Sequence, residues 1–119
     1  MDLTLGPNTY SLRTTEQAGQ TTAHAVRVDT GDRFGIDVTG GSEPEALDKL
    51  TRWLEWQYEH TQALEALQQA ERAYHRAVAD AAFAIAHDAH AVDGSKASLE
   101  QVDAARKALD EVRGRRPHV

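Results

Sequence analysis

The chain has 119 residues, is 40% hydrophobic but only 6% aromatic, and carries a formal net charge of −6. That length supports one modest core, so a single domain over residues 1–119 is expected, its interior built on Leu, Val and Ala. The acidic balance argues against nucleic acid or an anionic membrane binding the surface as a whole, and the absence of Cys excludes disulfides and thiolate metal sites.

The first residues, MDLTLGPNTY, contain neither a basic nor an apolar leader region, and no run nears the roughly 20 apolar residues of a membrane span. A soluble, cytoplasmic protein is expected. Residues 1–41 are rich in Thr and Gly and read as a small antiparallel sheet of two to four strands. In T-A-H-A-V-R-V-D, Thr22, His24, Val26 and Val28 share one face and Ala23, Ala25, Arg27 and Asp29 the other, the period-2 alternation of a strand. Phe34, Ile36 and Val38 line one face of the next strand. Between them D-T-G-D supplies a turn, with Gly31 free to take positive φ. An earlier strand is expected around Tyr10, Leu12 and Thr14.

After Gly40 and Gly41, Ser42 and Glu45 have the spacing of a capping box, with Pro44 in the first turn. The 49 residues from Glu45 to Asp93 contain no Gly or Pro. They predict one long helix over 42–93, about 74 Å if unbroken, stopped by Gly94. Ser98 and Gln101 repeat the capping box and predict a second helix over 98–113, with Leu99, Val102, Ala105, Leu109 and Val112 on one stripe. Residues 114–119 are expected to be a flexible tail. The fold class is therefore α+β: a small N-terminal sheet, a long helix, and a shorter antiparallel helix completing a helical hairpin.

Both tryptophans lie in RWLEWQYEH, residues 52–60. On a helical wheel Leu47, Leu50, Leu54 and Tyr58 fall to one side of Trp53, while Trp56, Leu67, Tyr74, Val78, Ala81 and Ile85 fall to the other. The leucines are expected to pack on the sheet. A short loop near Gly94 would set Leu99 opposite residue 89 and Arg113 opposite Tyr74, with close approach allowed by Ala73, Ala77, Ala81 and Ala84. A hairpin so placed stops short of Trp56, His60, Ala63 and Leu67. These residues, flanked by Trp53, are then expected to form a coiled-coil-like stripe that associates with a second copy of the chain, most simply as a homodimer.

Chemistry is sparsely marked. His87 and His90, three apart with Asp93 nearby, share a helix face and could ligate a metal, but they lack the further ligands of a closed or catalytic site; histidines near a helix C-terminus also suit the dipole. His24 and His75 have no nucleophile in sequence context. No cofactor is expected. V-T-G-G-S could cradle phosphate at a helix start, yet Glu43 and Glu45 already occupy that end. Residues 43–71 hold seven acids against Lys49 and Arg52. Glu55, Glu59 and Glu65 on that stretch are candidate contacts for a basic protein partner, and Arg113, Arg115 and Arg116 form a small basic group near the C-terminus.

The order strand, turn, strand, then S-E-P-E-A-L-D-K-L resembles the N-terminal part of HicB-like antitoxins over residues 22–54. Their usual P-x-L-P-G-C-like segment between sheet and helix is replaced here by V-T-G-G. The resemblance implies an oligomeric, non-enzymatic inhibitor of a basic toxin or nuclease. The residues themselves lead to a small acidic interaction or regulatory protein, non-enzymatic and self-associating, that binds a protein partner. A metal-dependent enzyme using His87 and His90 is the competing class.

Overall fold

The computed structural model describes the backbone of residues 1–87 and 94–119 and the side chains of 1–84 and 94–119. Four strands, β1 (Asp2–Leu5), β2 (Asn8–Gln17), β3 (Gln20–Arg27) and β4 (Arg33–Gly40), precede two helices, α1 (Glu43–His87) and α2 (Ser95–Gly114). The fold is the expected α+β arrangement. It gathers into two compact units, Met1–Tyr58 with Arg116–Val119, and Glu59–Arg115, and α1 contributes to both.

In the first unit the strands form an antiparallel meander in the order β1-β2-β3-β4. Gly31, at φ 75, makes the β3–β4 turn as D-T-G-D requires. Of the two faces of β3, the one carrying Thr21, Ala23 and Ala25 is turned to the core, with both alanines fully buried. Small residues there let α1 approach, and Ala46, Leu50, Trp53 and Leu54 pack onto Tyr10, Leu12, Ala23, Ala25 and Val38. Leu50 and Leu54 are fully buried, contributing about 1.5–3 kcal/mol each. The Tyr10 and Phe34 rings stack at 4.9 Å. The opposite face of the sheet presents short polar side chains, including Thr4 and Thr9, whose hydroxyls lie 3.0 Å apart.

The β3–β4 register shifts partway along. Ala23 pairs with Val38 but Ala25 with Phe34, so Gly35, Ile36 and Asp37 stand against His24 alone. Such a bulge bends the strand, and Gly35 takes it at φ 78. The bare Gly35 backbone is then the floor under the Trp53 ring: a Cβ there would lie 2.5 Å from Trp53 Cζ3.

The start of α1 is capped as predicted, with one shift of partner. Ser42 Oγ accepts from Glu45 N at 3.3 Å, while the Glu45 carboxylate accepts from Gly41 N at 2.9 Å, one residue before the cap. Gly40 lets the end of β4 lie against the helix, since a Cβ there would stand 2.8 Å from Ala46 N.

In the second unit the covered residues of α1 are His60, Ala63, Leu67, Ala70, Tyr74, Ala77, Ala81 and Ala84, with Leu64, Glu71 and Ala73 beside them; those of α2 are Ser95, Ser98, Val102, Ala105, Leu109 and Val112. Both main series step by three and four residues in turn, the spacing of a two-stranded coiled coil. All other residues of α2 are exposed. The centre holds Leu67, Val102 and Leu109, with alanines and Tyr74 around them. Three expectations are corrected here. The second helix begins at Ser95 behind Gly94, with no side-chain cap, so the Ser98–Gln101 capping box does not form. Ser98, not Leu99, takes the inward position, because the 3.5-residue period of a helix pair departs from the 3.6-residue wheel by which Leu99 was placed. And α2 is set 14 residues further toward the N-terminus of α1 than expected: Arg113 donates to His60 Nε2 at 3.3 Å and does not lie opposite Tyr74.

Candidate functional site

The register of α2 decides what becomes of the stripe expected to meet a second subunit. Trp53 belongs to the sheet core and is 6% exposed, and Leu67 belongs to the helix-pair core at 9%. Ala63 packs against that second core, and His60 accepts from Arg113. Trp56 is half-buried, its ring 6.5 Å from that of Trp53, with the Arg116 guanidinium over it at 5.5 Å, inside cation–π range. The tail expected to be free thus supplies part of the cover of Trp56. Trp53 and Trp56 fall in the first unit and His60, Ala63 and Leu67 in the second. These five residues do not make one open surface, and for Trp53 and Leu67 the chain itself supplies the neighbours.

Burial has a cost at Trp53. Its Nε1 is buried without a hydrogen-bond partner among the described residues, as is Thr51 Oγ1, a loss of order 1–3 kcal/mol for each such group.

Three of the seven acids in the acidic stretch are answered from within. Lys49 pairs with Glu45 at 3.3 Å, Arg52 with Asp48 at 3.1 Å and Arg115 with Glu59 at 3.5 Å. Of the three candidate carboxylates, Glu59 is therefore engaged, while Glu55 and Glu65 are exposed and have no ion pair among the described residues. Glu55 lies in the first unit and Glu65 in the second. At the start of α1 the Gly41 N–H, and then Lys49 through a hydrogen bond and its charge, hold the Glu45 carboxyl below its ordinary value. The glycine-rich turn that resembled a phosphate cradle is filled by this side chain.

Among the described residues no three His, Asp or Glu lie together so as to hold a metal ion. The candidate ligands His90 and Asp93, and the side chain of His87, lie outside the described residues. His24 sits half-buried on the polar face of the sheet, opposite Arg13 of β2. No described helix is long and apolar enough to cross a membrane.

The helix pair also exposes large apolar side chains that the sequence had placed inward: Val78 at 41% and Leu99 at 42%, with Phe83 at 68% further along α1. Val78 follows the covered Ala77 on α1, and Leu99 follows the covered Ser98 on α2. Reversing one helix reverses the order in which its positions run around the axis, so in an antiparallel pair these two positions come to the same flank. Stepping by sevens from the Arg113–His60 contact sets Arg106 level with Leu67 and Leu99 with Tyr74, so Val78 lies about one turn along this flank from Leu99. The signal that would have found this flank is the strict three-four spacing of the inward residues on each helix, which marks Val78 and Leu99 as the next positions outward.

No protein-family model, curated protein or solved structure matches the chain. The likeness of residues 22–54 to HicB-like antitoxins therefore adds nothing to the geometry of these surfaces.

Proposed function

We propose that the chain is a non-enzymatic interaction protein that self-associates through its helix-pair unit. The observation that carries this reading is the flank that holds both Val78 and Leu99, each about two-fifths exposed. Two helices in contact bury only one stripe of each, and stable layers usually cover a second apolar stripe with another element. The buried centre of this pair is thin, with Leu67, Val102 and Leu109 surrounded mainly by alanine. Covering Val78 and Leu99 against a second pair would give the four-helix arrangement common among small assemblies. The expected self-association is kept, but its surface moves from the tryptophan stripe to this flank.

Sedimentation equilibrium over a wide concentration range tests the reading. Wild type is expected to show a concentration-dependent mass above that of one chain, and Leu99→Asp to abolish it while retaining its helical circular dichroism. A wild-type mass fixed at one chain throughout would overturn self-association. A purified protein carrying stoichiometric zinc or iron would instead favour the metal-dependent class.

A further inference from the structure

The last turn of α2 meets α1 through a contact that only an uncharged imidazole can make. We propose that this contact is a pH-sensitive latch: neutral His60 holds the C-terminal turn of α2, and acidification to about pH 5.5 releases it. The latch does not depend on self-association.

Arg113 Nε donates to His60 Nε2 at 3.3 Å. A ring nitrogen accepts a hydrogen bond only while it carries no proton, and a guanidinium has no acceptor to offer in return. Protonated His60 would therefore turn an N–H and a positive charge toward the Arg113 cation. Within one turn of His60 on α1 the only charged residue is Glu59, and its carboxylate is held by Arg115, just past α2, at 3.5 Å. On α2 the acids preceding Arg113, Asp110 and Glu111, are exposed. Unfolding frees His60 to take up a proton that the latched turn resists. The latch therefore contributes stability above the ordinary imidazole value of about 6.5 and loses it as pH falls below that value. Its release is local. Burial of Leu67, Val102 and Leu109 holds the centre of the pair and involves no charge, so the helix pair stays closed while the turn from Asp110 to Gly114 opens more often.

Amide hydrogen exchange, expressed at each pH as protection relative to the unfolded chain, reads the release. Between about pH 7.5 and about pH 5.5, wild type should lose about threefold or more protection over residues 110–114, with a smaller change around Leu67 and Val102. In this range only imidazoles change charge among the side chains of the chain, so two variants isolate His60 from the other histidines. His60→Gln keeps an oxygen that can accept from Arg113 and cannot titrate, and should hold its protection at both pH values. Arg113→Gln can donate to neutral His60 or accept from its protonated form, and should also show no pH dependence over 110–114. Unchanged protection of the wild-type turn across the range would overturn the latch. So would a loss in His60→Gln equal to that in wild type, which would assign the effect to another histidine, or a loss spread evenly over both helices.

Discussion

Gly35→Ala tests the main packing contact of the first unit. The added methyl carbon would lie 2.5 Å from Trp53 Cζ3 and 3.2 Å from Cη2, so the ring would have to retreat by about 1 Å to reach ordinary contact. It has little room to do so, since Trp53 shares its core with fully buried Leu50 and Leu54. Overpacking of this kind costs about 1–3 kcal/mol. A side chain at φ 78 adds about 1–2 kcal/mol of backbone strain. The expected loss is therefore about 2–5 kcal/mol, a fall in melting temperature of roughly 10 °C or more for a unit of this size. Both tryptophans lie in this unit, so their fluorescence reports its unfolding. The steric part is isolated by repeating the substitution in a Trp53→Leu background, where Gly35→Ala should cost only the backbone strain. Equal losses in the two backgrounds, or a loss below about 0.5 kcal/mol in wild type, would refute the seating of the indole on Gly35.

Three further outcomes follow from named contacts. The Glu45 carboxyl is held below its ordinary value by the Gly41 N–H and Lys49, so its contribution to stability is present above the unfolded-state value near 4.3 and is lost as pH falls below it. Thermal melts across that range should lose less stability in Glu45→Gln than in wild type, and parallel slopes would show that the cap does not carry the effect. Leu109→Ala should destabilise the helix pair by about 2–5 kcal/mol through the cavity it leaves, read by circular dichroism at the helical band; a neutral result would mean that α2 does not pack through this residue. Arg116→Ala should shift Trp56 emission toward that of a more hydrated indole while costing under about 1 kcal/mol, and an unchanged spectrum would remove the cation–π contact.

The sheet and helices were legible in the sequence wherever a local rule decides the structure. Alternation marked β3 and β4, D-T-G-D marked their turn, and Ser42 with Glu45 marked the start of α1. The apolar leucines also pointed to the sheet as expected. β1 has only four residues, and although D-L-T-L alternates, two apolar positions are too few to mark a strand. The bulge at Gly35 was not foreseen either, since an isolated glycine in a strand can serve several ends. The largest difference, the 14-residue displacement of α2 along α1, arises from a quantity that local pattern does not encode. Hairpin register was reckoned from Gly94 as the tip of a tight turn, and an early start of α2 together with a different pairing changes every partner downstream. The sequence did contain a corrective. Inward residues at three-four spacing run from His60 to Ala84 on α1 and from Ser95 to Val112 on α2, and in the observed register the larger residues of one series, Leu67 and Tyr74, fall near the small Ala105 and Ser98 of the other. On a 3.6-residue wheel that series drifts around the helix.

The same displacement accounts for two charge features that looked like separate binding surfaces. Seven acids between residues 43 and 71 suggested an acidic face, and three arginines near the C-terminus a basic one. Once α2 runs back to His60, Arg113 reaches that histidine and Arg115 reaches Glu59, while Arg116 covers Trp56. Exposed ion pairs contribute only about 0–1 kcal/mol each, so these contacts do little to hold the fold. Their effect is on availability: Glu59 and the three arginines already have neighbours in the chain, and a partner competing for them would have to displace those contacts. The flank at Val78 and Leu99 differs because its two large apolar side chains stand about two-fifths exposed. That difference is why self-association is proposed there and not at either run of like charges.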